Sequence, residues 1–300
     1  MSEQARGTAE MSAAMAIAGT IGWFVVVSGR SVLDVVFWRC LFGAATLLAV
    51  CTYMGLLRRI TRRILLLSVL GGIAIVLNWL LLFAAYSRAS ISIATAVYNT
   101  QPFILVCFGA LFLAERLTIA KLAWLAIAFG GLLLIIQVGA NTASVGAHYT
   151  VGILMALSAA FMWAIAALIT KQLAGTPPHL IALIQVCVGA IMLAPFADLV
   201  HPPAQLEPWS ILIVIGVVHT GLVYILMYDA IHRLPTHIQG ALTFIYPVVA
   251  IAVDVVAFGR RLQPTQMIGA AAILVAVVGM NGYGGFLRSR KVLPISQDSA

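Results

Sequence analysis

Charged residues fall in short clusters along this chain, and the uncharged stretches between them decide what it can fold into. Those stretches cover residues 11–29, 40–57, 64–87, 89–114, 122–170, 172–197, 208–228, 234–253 and 262–287. Each is near or beyond the roughly 20 apolar residues that a helix needs to cross a bilayer. Only 9% of the residues are Asp, Glu, Lys or Arg, too few to cover the surface of a soluble domain of this length. The expectation is an all-α polytopic membrane protein.

The run 122–170 is too long for one helix, and the polar stretch 139–148 divides it. Ten transmembrane helices result, near 11–28, 35–55, 64–86, 90–113, 119–138, 150–171, 179–197, 209–230, 236–257 and 265–286. The first is read as a retained span and not a cleaved signal peptide, because Glu3 and Glu10 flank it with only Arg6. Ten spans put both termini on one side. That side then holds twelve of the 17 Lys and Arg residues, the other holds Arg30, Arg88, Arg260 and Arg261, and Arg39 stays in the membrane. The excess makes the termini cytoplasmic.

Sliding the chain on itself by 145 residues brings Pro102 onto Pro247, Arg88 onto Arg233, Ala85 onto Ala230 and Arg116-Leu117 onto Arg261-Leu262, while Trp23 meets Trp163 at a shift of 140. The chain thus reads as a first five-helix repeat in 1–138, an extracytoplasmic connector in 139–149, a second repeat in 150–286 and a cytoplasmic tail in 287–300. Five is odd, so the two repeats are inverted, as in many secondary transporters that work by alternating access.

The segment Ala85-Tyr-Ser-Arg-Ala-Ser-Ile-Ser-Ile-Ala-Thr-Ala-Val-Tyr-Asn-Thr-Gln-Pro102, continuing to Leu113-Ala-Glu-Arg-Leu117, resembles the third and fourth spans of EamA-domain proteins of the drug/metabolite transporter superfamily. Trp23, Arg39, Arg233 and Tyr246-Pro247 fit the same pattern, which is most similar to the bacterial YddG-type exporters of aromatic amino acids. The resemblance implies ten helices, cytoplasmic termini and export of amino acids or related metabolites across the cell inner membrane. One position departs from symmetry: Glu115 in the first repeat is matched by Arg260 in the second.

Polar groups at mid-membrane depth are expensive unless they face the bundle interior. Asn78, Gln101 and His219 answer that description and are candidate substrate contacts, with an ordinary helix-to-helix hydrogen bond as the alternative. Trp23, Trp79, Tyr98, Trp163, Tyr224 and Tyr246 would form an aromatic wall beside them, suited to a flat apolar side chain; Phe244 lies in the same region. Pro102 and Pro247 should bend the fourth and ninth spans at matching places. Trp124 and Trp209, near span ends, read as interface anchors. Arg39 is expected to snorkel or to pair with Asp34, Asp229 to pair with Arg233, and Asp254 to reach Arg260 or Arg261.

Other functions lack their residues. No nucleotide-binding or hydrolase motif is present, the histidines are scattered without metal spacing, and the four cysteines sit in apolar runs as small hydrophobes. No catalytic residue, metal or cofactor is therefore expected. Partners are expected to be a small amino acid substrate and membrane lipids, with Arg58, Arg59, Arg62 and Arg63 facing anionic headgroups, no nucleic acid, and a functional monomer. The alternatives to an amino acid exporter are a channel-like pore, a lipid-translocating protein, and a drug or nucleotide-sugar carrier of the same superfamily.

Overall fold

A computed structural model describes residues 2–89, 94, 97–115, 118–136, 147–198, 206–258 and 264–290. Every regular element in it is helical. The α-helices are α1 (Glu3–Gly19), α2 (Ile21–Val27), α3 (Val32–Tyr53), α4 (Arg62–Ala89), α5 (Gln101–Phe112), α6 (Ile119–Ile136), α7 (Ala147–Gln172), α8 (Pro178–Leu193), α9 (Leu206–Val214), α10 (Val223–Arg233), α11 (Thr236–Thr243), α12 (Ile245–Phe258) and α13 (Pro264–Arg290). Among the described residues five helical stretches are long and apolar enough to cross a membrane: Val32–Tyr53, Arg62–Leu82, Tyr149–Gln172, Pro178–Phe196 and Pro208–Arg233. Most of the connector expected at 139–149, Arg116, Arg260, Arg261 and the tail beyond 290 lie outside the described residues. So do the expected partners of Asp254.

The exposed apolar residues include Leu66, Leu70, Leu154, Val275 and Val278, each on the outer face of a helix that lipid would cover. Inside, small residues let helices approach closely. A Cβ on Gly131 in α6 would lie 2.6 Å from the Gly269 carbonyl oxygen of α13, so these two helices pack backbone to backbone. Trp124 fills the notch left by Gly279 on α13, and Trp209 lies edge-on to Trp38 at 4.7 Å. Both tryptophans therefore work in helix packing, which their nearness to span ends had concealed.

Polar contacts collect at the helix ends. At one end Arg6 bonds Glu10 at 2.7 Å and Asp229 at 3.3 Å, and Asp229 pairs with Arg233 at 2.9 Å, as the i,i+4 spacing predicts. Arg233 also pairs with Glu3, which fastens α1 to α10. The same end carries a second cluster on Glu115, after α5. Its carboxylate accepts from Lys171 Nζ at 2.8 Å, from Thr236 Oγ1 at 2.7 Å and from the Thr236 amide at 3.1 Å. Lys171 also donates to the Leu234 carbonyl at 3.0 Å. Glu115 thereby caps the first turn of α11, where a carboxylate is favoured by the free amides. At the opposite end Asp34 accepts from Ser31 Oγ at 2.8 Å and from the Asp198 amide at 2.7 Å.

Partial burial raises the pKa of the Glu115 carboxyl, but hydrogen bonds from Lys171 and Thr236 outweigh it and leave the group below its ordinary value of 4.5. A depressed folded-state pKa means stability that is present above 4.5 and lost as pH falls through the folded value. Glu115→Gln should therefore lower the stability of the detergent-purified protein by about 1–2 kcal/mol near neutrality. The gap between wild type and variant should shrink as the pH is taken below 4.5. Thermal unfolding at several pH values would measure it, and a gap that widens on acidification would contradict this reading of Glu115.

Candidate substrate site

Four helix interruptions are brought together in the middle of the molecule. One break falls at Thr20, between α1 and α2, and another at Phe244, between α11 and α12. A third interruption is the turn at Asn99-Thr100 before α5, which puts Pro102 in the first turn of that helix. Pro247 is likewise in the first turn of α12, one position further in, so both prolines follow a break and lie where the helix has no use for their missing amides. Between α9 and α10 the chain forms a π-helix over Ile215–Leu222, a geometry that recurs at functional sites.

Close approaches join these breaks. A Cβ on Gly19 would stand 2.9 Å from the Tyr246 carbonyl oxygen, and one on Gly240 would meet Pro102 at 2.9 Å. Likewise Gly216 lies so near α3 that a Cβ would reach Phe42 Cβ at 2.4 Å and the Gly43 amide nitrogen at 3.1 Å. The π-helix is thereby held flat against α3.

His219 is buried at the centre of the π-helix. Its Nε2 is 2.8 Å from Thr20 Oγ1, and Phe24 meets its ring edge-on at 4.7 Å. Thr20 also donates to the Ile17 carbonyl at 2.7 Å, so the hydroxyl satisfies the broken turn of the first span while holding His219. Trp23 packs edge-on to Phe24 at 4.8 Å. Thr20, Trp23 and Phe24 line a cleft of about 550 Å³ between α2 and α12, together with Ala252, Val253, Val256 and Ala257.

Trp79 belongs to a second group. Its ring lies 6.3 Å from Tyr224, edge-on, and Tyr224 continues to Tyr228 at 5.3 Å; the Tyr228 hydroxyl donates to Gln185 Oε1. Arg39 sits over Trp79, with Cζ 4.5 Å from the ring centroid, and its Nε donates to Thr220 Oγ1 at 3.1 Å. The pairing of Arg39 with Asp34 expected from the sequence is thus not formed. Asp34 is engaged by Ser31 and Asp198, while Arg39 turns inward because Thr220, the residue after His219, offers it an oxygen in the bundle centre.

The other candidates are placed differently. Asn78 is completely buried and donates to the Ala159 carbonyl at 2.8 Å and to Tyr98 Oη at 3.2 Å, a tie among three helical segments. Gln101 is buried, and its Oε1 has no partner among the described residues. Trp163 is buried in the main core with Trp79, yet no described contact brings it to His219. Tyr246 lies half-buried at the start of α12. Thr20 and Phe24 were missed in the sequence: a threonine and a phenylalanine inside an apolar run carry no signal until the break at Thr20 turns them onto His219.

A bundle of apolar helices, interrupted around a partly polar, aromatic centre, is the architecture of a polytopic membrane protein. The EamA-like transporter family profile matches residues 9–137 and again 150–282, and the chain belongs to that family. It is accordingly a multi-pass inner-membrane transporter and not an enzyme. It is 29% identical over 275 residues to the uncharacterized transporter YxxF of Bacillus subtilis, covering 89% of this chain and 87% of that protein. A probable amino-acid metabolite efflux pump of Escherichia coli is 28% identical, with 68% of this chain and 70% of the pump covered. The threonine/homoserine exporter RhtA of the same species is 28% identical, with 70% and 67% covered. One solved crystal structure superposes with a TM-score of 0.78 at 20% identity, over 96% of this chain and 99% of that one; identity so low speaks for the fold alone.

The contact between α3 and the π-helix yields a direct test. Gly216→Ala should destabilise the protein by about 1–3 kcal/mol, because the added methyl group forces apart two backbones that have no room to yield. Gly130, whose Cβ would meet nothing within 4 Å, is the control, and Gly130→Ala should be neutral or slightly stabilising. Equal unfolding midpoints for the two variants would contradict the close approach.

Proposed function

We propose that the protein is a secondary carrier that exports amino acids, with aromatic or other apolar side chains preferred, and that it works by alternating access between two inverted five-helix repeats. The observation that carries this reading is the convergence of the interrupted first, fourth, eighth and ninth spans on His219, Thr20, Pro102 and Tyr246. Broken helices at a repeat interface are a recurring way to build a transporter site. An aromatic surround with few polar groups suits a substrate with one apolar and one polar end. The relatives named for amino-acid metabolite efflux and threonine/homoserine export support the substrate class. The two separate family matches, one in each half of the chain, support the repeat.

In this reading ten spans are present and both termini are cytoplasmic. The clustering of Glu3, Arg6, Glu115, Lys171 and Arg233 at one end, against Asp34 and Asp198 at the other, agrees with the sidedness that the basic residues favour. The proposed substrate contacts are Trp23, Asn78, Trp79, Tyr98, Gln101, Trp163, His219, Tyr224 and Tyr246. Pro102 and Pro247 serve the breaks, and the protein acts as a monomer.

Uptake of Phe, Trp, Leu and Ala into proteoliposomes, corrected for folded protein, tests the function. His219→Ala should weaken transport of all four, since a buried partner left unpaired costs about 1–3 kcal/mol. Trp163→Ala should reduce Phe and Trp more than Ala, through lost apolar area. Absence of saturable counterflow for any of them would reject an amino acid carrier, and counterflow without saturation would favour a pore. Orientation is tested separately with single cysteines in intact cells. An impermeant reagent should label position 143 and spare position 61; the reverse pattern would invert the topology.

A further inference from the structure

Arg39 is 93% buried, its exposure being 7%, and it lies one helical turn and more inside α3. A guanidinium on a side chain this buried normally has a carboxylate beside it, because desolvating a charge without a counter-charge is strongly unfavourable. Here no carboxylate among the described residues pairs with it. Its Nε is taken by Thr220 and its face by Trp79, whereas Nη1 and Nη2 make no hydrogen bond among those residues. One hydroxyl oxygen and one π-face cannot replace an anion: a cation over an aromatic ring is a modest interaction.

The surroundings say where such an anion would sit. Arg39 stands over Trp79, which meets Tyr224 edge-on at 6.3 Å, and its Nε reaches Thr220, the residue after His219. The backbone holding Thr220 is the π-helix, fixed to α3 by the Gly43–Gly216 approach. Arg39 is therefore held rigidly at its Nε edge, and its two terminal nitrogens, a fork matched to a carboxylate, are left over.

We propose that Arg39 is the carboxylate-binding residue of the transport site, taking the α-carboxylate of an amino acid, or of a related carboxylic acid, through Nη1 and Nη2. The substrate class is then anionic at one end: amino acids and carboxylic acids bind, whereas the corresponding amides and amines do not. This assignment rests on the transport function proposed above, but carboxylate binding is measurable without transport. It also differs from the role given to His219, which Thr20 already engages.

Two measurements on the purified full-length protein test it. In proteoliposomes, wild type should take up L-phenylalanine and be inhibited by it, but not by L-phenylalanine amide or 2-phenylethylamine. Arg39→Gln should raise the KM for phenylalanine roughly 10–100-fold, the loss expected for hydrogen bonds to a charged group, and Arg39→Lys should recover part of it by keeping the charge. In detergent, 3-phenylpropanoate should raise the unfolding temperature of wild type and of Arg39→Lys, but not that of Arg39→Gln; this comparison requires only that each variant unfold cooperatively. An unchanged KM in folded Arg39→Gln, equal inhibition by acid and amide, or a 3-phenylpropanoate shift that survives Arg39→Gln would overturn the assignment. If wild type transports no amino acid while the Arg39-dependent shift is present, the amino acid reading fails and the carboxylate site stands. If transport proceeds and Arg39→Gln leaves both measurements untouched, the carrier reading stands without this residue.

Discussion

A polar group inside hydrocarbon has no water to turn to, so each one must find its partner within the protein or within what the protein binds. That constraint sorts the polar residues of this chain into two sets. Groups near the helix ends are paired with each other: Asp229 with Arg233 and Arg6, Glu115 with Lys171 and Thr236, Asp34 with Ser31 and the Asp198 amide. Groups at the centre are paired sparingly. His219 has the Thr20 hydroxyl, Arg39 has Thr220, and Gln101 Oε1 has nothing among the described residues. The sparsely paired groups at the centre are among those of the proposed substrate site.

The close approaches of glycine make that centre possible. Gly216 allows α3 and the π-helix to touch at the backbone, which puts Thr220 within reach of the Arg39 side chain in place of the bilayer surface. Gly19 brings α1 onto α12 just before the first span breaks at Thr20, and beyond that break the two spans leave the cleft in which Trp23 and Phe24 stand. Each of these glycines is therefore a packing device with a consequence for the site. Replacing one would move a polar contact as well as a helix.

The distribution of charge along the sequence was enough to show that the chain folds into multiple apolar helices, because burying a charge in lipid is so costly that charged residues collect between apolar stretches. Asp229–Arg233 was legible for a related reason, since an i,i+4 pair depends only on local geometry. Arg39 was not. Its sequence neighbourhood offers Asp34 one turn away, and nothing in the chain order shows that Thr220, far along in another span, lies closer in space. The same limit hid Thr20, whose role comes from a break that no proline or glycine at that position announces. Asn78 was singled out correctly as an interior polar residue, but its amide nitrogen is spent on Ala159 and Tyr98, a helix-to-helix bond that sequence alone cannot separate from a substrate contact.

Glu115 shows why related halves need not behave alike. Its carboxylate gathers Lys171, the Thr236 hydroxyl and the first free amide of α11, and all three of these groups donate. The residue matched to it in the second repeat is Arg260, which carries donors and no acceptor. An arginine cannot take over a contact made of three donors, whatever the symmetry of the backbone around it. Whichever groups secure the opposite end of the bundle must therefore differ in chemistry from those that secure this one. On the alternating-access reading proposed above, an exchange of shape between the two halves would break one set of bonds and form an unlike set, and the two end states would differ in free energy even with no substrate and no ion gradient. A carrier of the proposed kind would have a preferred resting side, set by side chains that lie far from the proposed substrate contacts.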